Sequence, residues 1–493
     1  MVVTGTTTKF FKHIMVYGLG NVANKIITVI LIPVATKYLT IIEVGILGLL
    51  EMLELFLTTI LSQGMGAAIW RYMGLNSDAK DSIILFSAFV GRMVVNIFIV
   101  FILVMFSEVI TNILNIPFDY VNIVILFILN SLMVVSSNFV LNIWRYYDRS
   151  VLYSLYSTSR FFLIITLSLY FVIILDLKLF GIVYAKIIVN AVGFIHSLIY
   201  VIGKYRSKIS LSLYYKLQKY GVYFILFALV TPVLNTMNRL FINYYLTLDD
   251  VAIFSIAFKF GMLINILLVT PMQLAWIPMM YKFGDAENSK KYYRNFAYYY
   301  SIISSFVFLI ITIFREEMLL VFTTSDYLSG AKYIPIIAAA FLVNGYRHFF
   351  MSGLAIKDRT SFLGYASIIA IIINLILNNL FVNLFGIWGA ALATFLSYLV
   401  LTSVVLIFSQ KIVKIEWGLL NISKIIFYML VFILGSEMLI NTMDSPSWLI
   451  NCIILISYIP TLLFTGLISR KEIIGINNLI KGAIKFVQSK KSL

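Results

Sequence analysis

Charge is scarce in this chain. Asp, Glu, Lys and Arg make up 12% of its 493 residues, against roughly 25% in an ordinary soluble domain, while 61% are hydrophobic. No polar block is long enough to form a separate soluble domain, so the composition is that of a polytopic membrane protein. Cysteine is nearly absent. The single Cys452 excludes an internal disulfide and any cysteine-based metal site. The three histidines, His13, His196 and His348, are too scattered to suggest a metal centre. Nucleotide-hydrolysing and hydrolytic signatures are missing too: there is no GxxxxGK[ST] loop, no HExxH and no visible Ser–His–Asp arrangement. The loops are too short for the acidic metal motif of a membrane glycosyltransferase. Neither an enzymatic role nor a cofactor is expected.

Long apolar runs dominate instead. A spanning helix needs about 20 mostly apolar residues. Fourteen stretches qualify, near residues 13–36, 44–69, 82–106, 119–144, 151–175, 180–202, 221–244, 252–280, 296–314, 333–354, 361–384, 387–409, 419–440 and 448–468. The fold class is therefore all-α and polytopic, with about 14 transmembrane helices, and the short loops make sequence neighbours pack together. The first apolar segment carries Lys25 in its middle and lacks a small-residue cleavage site, so it is expected to remain as the first span.

The basic residues sort by side. With a cytoplasmic N-terminus, the inner loops hold Lys9, Lys12, Arg71, Lys80, Arg145, Arg149, the Lys204–Lys219 cluster, Lys282, Lys290, Lys291, Arg294, Lys357, Arg359, Lys411, Lys414 and Lys424, plus a basic tail. The outer loops hold only Lys37, Lys178, Arg315 and Lys332, and collect acids such as Glu108, Asp119, Asp249, Asp250, Glu316, Glu317 and Asp444. Lys/Arg bias sets orientation, so both termini are expected in the cytoplasm and the number of spans is even. The net charge of +16 is thus mostly topological, and nucleic-acid binding is not required to explain it.

The chain also repeats itself. Tyr38, Leu39, Thr40, Val44 and Ile46 recur at one constant offset as Tyr245, Leu246, Thr247, Val251 and Ile253, with Glu43 answered by Asp250. FGIVYA from Phe180 returns as FGIWGA from Phe385, and DRS from Asp148 as DRT from Asp358. Tyrosine followed by a polar turn is common at a membrane interface, but separate echoes in the same order point to duplication. Spans 1–6 and 7–12 then form two parallel six-helix lobes, residues 1–205 and 212–409, related about an axis along the membrane normal. Residues 417–468 form an added transmembrane hairpin. Residues 470–493 read either as a basic amphipathic helix lying on the inner leaflet, with Ile473, Ile476, Ile480, Ile484 and Val487 near one face, or as a disordered basic end.

Charges inside spans are costly, about 2.5–3.5 kcal/mol each at mid-helix on insertion scales, and normally face a bundle interior or a wet cavity. Seven basic residues fall there: Lys25, Arg92, Arg160, Lys186, Arg239, Lys259 and Arg347. Arg92 and Lys186 have a plain alternative in snorkelling or pairing. In the first span Asn21, Asn24, Lys25 and Thr28 share a stripe, and the seventh repeats the idea with Thr231, Asn235, Asn238 and Arg239. The second span carries Glu51, Glu54 and Thr58, and the eighth carries Ser255, Lys259 and Met262. A cavity lined by spans 1, 2, 7 and 8 would set Lys25, Arg239 and Lys259 against two carboxylates and favour an anionic substrate. Glu51 or Glu54 neutralising Lys25 or Lys259 as a structural pair is compatible with that reading. Pro33, Pro232, Pro271 and Pro278 permit bends in these helices and also occur as plain packing kinks.

The motif KHxxxYGLGN from Lys12 to Asn21, then ILIPVATKYLT and the VGILGL turn, resembles the Wzx-type polysaccharide flippases of the multidrug/oligosaccharidyl-lipid/polysaccharide exporter superfamily. FGIWGAALAT from Phe385 is similar to the start of that family's twelfth helix. The resemblance spans the whole chain, with loose motifs. It implies two six-helix lobes plus a hairpin in the bacterial cytoplasmic membrane, moving an undecaprenyl-diphosphate-linked oligosaccharide outward for O-antigen, capsule or similar polymers, with polysaccharide polymerase machinery as a partner. It implies that basic residues of helices 1 and 7, here Lys25 and Arg239, line the cavity. By the same resemblance the hairpin holds the polyprenyl tail. A cation-coupled multidrug exporter of the same superfamily is the alternative, with Glu51 and Glu54 as coupling acids. The absence of Asp or Glu from spans 1 and 7 counts against it. A non-transporting scaffold or a lipid scramblase is the third class. The expected cavity set is Asn21, Asn24, Lys25, Asn235, Arg239, Lys259 and Arg347, charge-balanced by Glu51 and Glu54.

Overall fold

The computed structural model describes residues 30–75, 81–284, 287–443 and 446–467. Its described residues contain no strand and thirteen helices long and apolar enough to cross a membrane. These are Ile41–Met73, Asp81–Met105, Phe118–Tyr146, Ser150–Ile174, Lys178–Tyr205, Leu211–Thr236, Leu248–Tyr281, Ser289–Ile313, Ser325–Ile356, Ser361–Phe385, Ile387–Ile412, Leu419–Thr442 and Ser447–Phe464. They match the second to fourteenth expected spans, and that numbering is kept. The first expected span lies mostly outside the described residues; its end is helical from Ile30 through Tyr38. The tail, residues 470–493, also lies outside them. Helix is the required answer in lipid, where every backbone donor and acceptor must be satisfied within the segment.

The packing is inverted relative to a water-soluble bundle. On the eleventh span, Ala366, Ala370, Asn374, Asn378 and Val382 recur every fourth residue and are fully buried. Ile368, Ile372, Ile376 and Leu380 recur the same way and are about half exposed. Small and polar side chains thus face protein while large apolar ones face outward, as helix association in a bilayer favours. Asn374 Nδ2 donates to Ser397 Oγ at 3.0 Å, tying the eleventh span to the twelfth.

The repeated sequence builds a repeated turn. Thr40 caps the second span in a capping box with Glu43, and Thr247 caps the eighth in a capping box with Asp250. Each hydroxyl accepts from the backbone N–H three residues on, while the acid reaches back to the threonine N–H, satisfying two donors that a helix start leaves open.

Two boundaries differ from the sequence expectation. The seventh span starts at Leu211 and the ninth helix at Glu287, each about ten residues before the apolar run. Their first turns carry Lys216 and Lys219, or Lys290, Lys291 and Arg294, so hydropathy alone misses them. Ser210 caps the seventh, its hydroxyl accepting from Leu213 N–H. That span is also broken into Leu211–Ala228, Val230–Thr236 and Asn238–Tyr245. Pro232 has no N–H to offer the carbonyl four residues earlier, which places the first interruption. The eighth span is interrupted by a π-turn at Asn265–Val269, just before Pro271.

The thirteenth and fourteenth spans pack on the ninth. Buried Asn451 is the joint. Its Nδ2 donates to Ile313 O at 2.8 Å, and its Oδ1 accepts from Ser436 Oγ at 2.7 Å. Arg315 pairs with Glu437 at 3.0 Å alongside.

Candidate functional site

The second span is the axis of the site, because it meets the seventh and eighth spans along its length. Near its start a Cβ on Gly45 would sit 2.1 Å from Leu248 O, and one on Gly48 2.5 Å from Ser255 Oγ. No other residue type fits this crossing without displacing the eighth span. At its far end Gln63 and Gly64 take positive φ, and a Cβ on Gly64 would meet Gly221 O at 2.0 Å. The two contacts are some 30 Å apart along the helix at 1.5 Å per residue.

The end near Gly64 is secured by polar bonds as well. Tyr214 donates its hydroxyl to Gln63 Oε1 at 2.9 Å, Gln63 Nε2 donates to Asn96 Oδ1 at 2.8 Å, and Asn96 Nδ2 donates to Leu61 O at 2.9 Å. Ser210 N–H donates to Ser87 Oγ at 3.0 Å, and the Arg71 guanidinium lies 4.4 Å from the Tyr220 ring centroid. The first segment of the seventh span is thereby fastened to the second and third spans.

Between the two closures lie the charges. Glu51 and Glu54 occupy successive turns of the second span, so both point the same way. Lys259 Nζ from the eighth span meets Glu51 Oε1 at 3.1 Å, and Lys186 Nζ from the sixth meets Glu54 Oε2 at 2.8 Å. Arg239, 4% exposed, donates from a terminal nitrogen to Gly48 O at 3.3 Å and lies 5.9 Å from the Phe258 ring centroid. Among the described residues no carboxylate lies within 4 Å of Arg239. Three cations thus face two carboxylates, leaving one positive charge in excess. Glu54 is further held by a chain of amides. Its Oε1 accepts from Asn130 Nδ2 at 3.0 Å, Asn130 Oδ1 from Asn190 Nδ2 at 2.6 Å, and Asn190 Oδ1 from Arg160 Nε at 2.7 Å.

A cavity of about 40 Å³ opens here, lined in part by Ile32, Gly48, Glu51, Lys186, Ser255 and Lys259. Ligand pockets run to roughly 300–1,000 Å³, so this conformation admits a few waters and no sugar.

Of the residues expected from sequence, the structure brings Glu51, Glu54, Lys259 and Arg239 together. Asn235 and Arg347 bond to other residues. Asn235 Oδ1 accepts from Tyr398 OH at 2.5 Å, and Arg347 Nε donates to Asn344 Oδ1 at 2.9 Å within electrostatic reach of the same tyrosine. Asn21, Asn24 and Lys25 fall outside the described residues. Lys186 is the addition. Its mid-span position flagged it, but nothing in the sequence pairs the sixth span with Glu54.

A family model described as polysaccharide biosynthesis protein matches residues 10–284, more than half of the chain. No curated relative matches. Among solved structures, the lipid II flippase MurJ in an inward closed conformation superposes with a TM-score of 0.69 at 13% identity, covering 92% of this chain and 97% of that one. A multidrug resistance MATE family transporter of the MOP superfamily, in an inward-facing conformation, gives 0.62 at 15%, covering 83% and 95%. A MATE transporter of Vibrio cholerae gives 0.57 at 14%, covering 83% and 97%. At such identities the likeness establishes the fold.

Proposed function

The chain belongs to the polysaccharide biosynthesis protein family, and on that premise we propose that it is a flippase. It moves an undecaprenyl-diphosphate-linked oligosaccharide from the inner to the outer leaflet of the bacterial cytoplasmic membrane, as a transporter and not an enzyme. The observation that carries this reading is the cationic excess of Lys186, Lys259 and Arg239 over Glu51 and Glu54, buried where the second, seventh and eighth spans meet. By the family resemblance, Lys25 of the first span would supply a further cation.

The working parts are two six-helix lobes, residues 1–205 and 212–409, with a tail-binding hairpin at 417–468 and an interfacial tail at 470–493. The recurrence of the Thr40/Glu43 and Thr247/Asp250 capping boxes supports this division. In the closed state the carboxylates occupy the lysines. A buried cation needs a partner, and removing one member of such a pair costs about 3–5 kcal/mol. An entering diphosphate supplies the replacement: it takes Lys259 from Glu51 and Lys186 from Glu54, and also engages Arg239, which holds no carboxylate among the described residues. The Glu51–Lys259 bond joins the two lobes, so its exchange for substrate loosens one lobe from the other. Release of the Tyr214–Gln63 fastening opens the inner side, and separation at Gly45 and Gly48 opens the outer side. An ion gradient or consumption of the glycan outside drives the cycle.

The cation-coupled exporter reading has less support, because Glu51 and Glu54 each already hold a lysine and the site carries net positive charge. Reconstitution decides between them. Proteoliposomes with a fluorescent undecaprenyl-diphosphate glycan should show protein-dependent loss of the label's protection from an impermeant quencher. Transport of cationic dyes with no movement of the glycan lipid would contradict the flippase reading.

A further inference from the structure

We propose that a pocket at the start of the ninth span, remote from the central charges, binds the phosphate of an anionic membrane lipid. It measures about 400 Å³ and, among the described residues, is lined by Lys290, Lys291, Arg294, Lys414 and Glu416, four cations and one acid. Two stretches far apart in sequence build it. Lys290, Lys291 and Arg294 occupy the opening turns of the ninth span, and Lys414 and Glu416 lie in the linker that joins the twelfth span to the hairpin.

That linker is a fixed wall. Val413, Ile415 and Trp417 are buried while Lys414 and Glu416 between them are exposed, a period-two alternation. Val413 is in the extended conformation. The Gln410 side chain brackets Ile415, its Nε2 donating to the carbonyl at 2.6 Å and its Oε1 accepting from the N–H at 3.0 Å. Trp417 packs edge-on against Phe350 with ring centroids 5.1 Å apart. Gly418 then takes φ +66, and a Cβ there would lie 3.7–3.8 Å from the aliphatic stem of Arg294, which places that stem beside the wall. A topological charge cluster needs no such scaffold.

Depth selects the ligand. Ser289 opens the ninth candidate span and Ile412 closes the twelfth, so the four cations lie at span ends, the depth at which lipid phosphates would sit. Arginine and several lysines converging on one concavity suit a phosphate with two or more free oxygens. Basic pockets between spans on the cytoplasmic side are suited to anionic headgroups. The inference shares with the flippase reading only the inward orientation of this face. A lipid seated here would brace the joint through which the hairpin is attached.

The test uses the purified full-length protein and does not depend on transport. Thermal unfolding in neutral detergent is followed while phosphatidylglycerol or phosphatidylcholine is titrated, with native mass spectrometry counting retained lipids. Phosphatidylglycerol should stabilise the wild type. The Lys291→Gln/Arg294→Gln/Lys414→Gln variant should need about tenfold more of it or beyond. A control removing as much charge from the same face, Lys208→Gln/Lys216→Gln/Lys219→Gln, should behave like wild type. Should the triple variant not fold, Glu416→Gln serves instead, and removing the one acid should tighten binding. Equal loss in the control, or an unchanged response in both pocket variants, overturns the proposal. So does stabilisation by millimolar inorganic phosphate in phosphatidylcholine that matches phosphatidylglycerol, since the ligand would then be a soluble phosphate.

Discussion

Glu51 and Lys259 meet at 3.1 Å from two spans on either side of the sequence repeat, and their side chains keep 26% and 18% exposure. Such a pair has two separable roles, which a mutant cycle distinguishes. Glu51→Ala leaves Lys259 with no carboxylate, and Lys259→Ala leaves Glu51 with no cation; each should destabilise by on the order of 3–5 kcal/mol. The double variant removes both charges and should regain much of that stability in detergent melts, yet it should stay inactive because the substrate has lost a cation. A double variant that transports normally would make the pair purely structural. Arg239→Ala should lower transport at least about tenfold, equivalent to roughly 1.4 kcal/mol of lost substrate interaction, with membrane insertion unchanged. Lys25→Ala should act in the same direction. Full activity in the Lys25→Ala/Arg239→Ala pair would remove both from the substrate path. At this scale the sequence was informative about which charges are interior, because a mid-span cation is costly wherever it sits. On partners it offered only Glu51 or Glu54 for Lys25 or Lys259, of which Glu51–Lys259 is formed. Lys186 had snorkelling as a plain alternative, and only the packing of the sixth span on the second shows Glu54 waiting at 2.8 Å.

The seventh span concentrates the mechanics at the level of elements. Its first segment is fastened to the second and third spans through Tyr214, Ser210 and Gly221, and its last segment brings Arg239 to Gly48. Breaks on both sides of Val230–Thr236 allow the ends to move separately. Tyr214→Phe removes one hydroxyl donor and should raise the inner-open population by a few-fold, the scale of a single net hydrogen bond. The readout is faster labelling of a Ser255→Cys reporter by an impermeant maleimide from the inner side, in a Cys452→Ser background. Unchanged labelling would exclude the Tyr214–Gln63 bond as a gate. At the other end, Gly45→Ala places a carbon against the Leu248 backbone, which cannot swing aside. It should cost about 1–3 kcal/mol and weaken the outer closure; a melting temperature equal to wild type would contradict the crossing. These elements were partly legible. The apolar cores of thirteen spans and the recurrence of the turn at Thr40 and Thr247 were readable, the first from hydropathy and the second from the echo itself; that the turn is a capping box was seen only in the structure. The basic first turns of the seventh and ninth helices were not, since there the helix is continued by capping and tertiary packing in place of apolar periodicity.

For the whole molecule, a repeated turn, a polysaccharide biosynthesis family match and the charges carried by the second, sixth, seventh and eighth spans all support the proposed task. The repeat was visible in sequence because the same turn is built twice from the same residues. The closed state was not visible, since closure depends on glycine contacts such as Gly64 with Gly221 that join distant parts of the chain. A cavity of about 40 Å³ cannot hold a lipid-linked glycan, so the proposed function requires the proposed lobes to part, and the proposal stands or falls on what crosses when they do. The most direct test is leaflet-resolved quantification of undecaprenyl-diphosphate-linked glycan in cells lacking this protein. The account predicts that the glycan lipid accumulates on the cytoplasmic face and that the wild-type gene, but not Lys259→Ala or Arg239→Ala, restores its outward passage. An unchanged distribution, accompanied by a rise in sensitivity to cationic dyes, would contradict it and turn attention to Glu51 and Glu54 as coupling acids of an exporter.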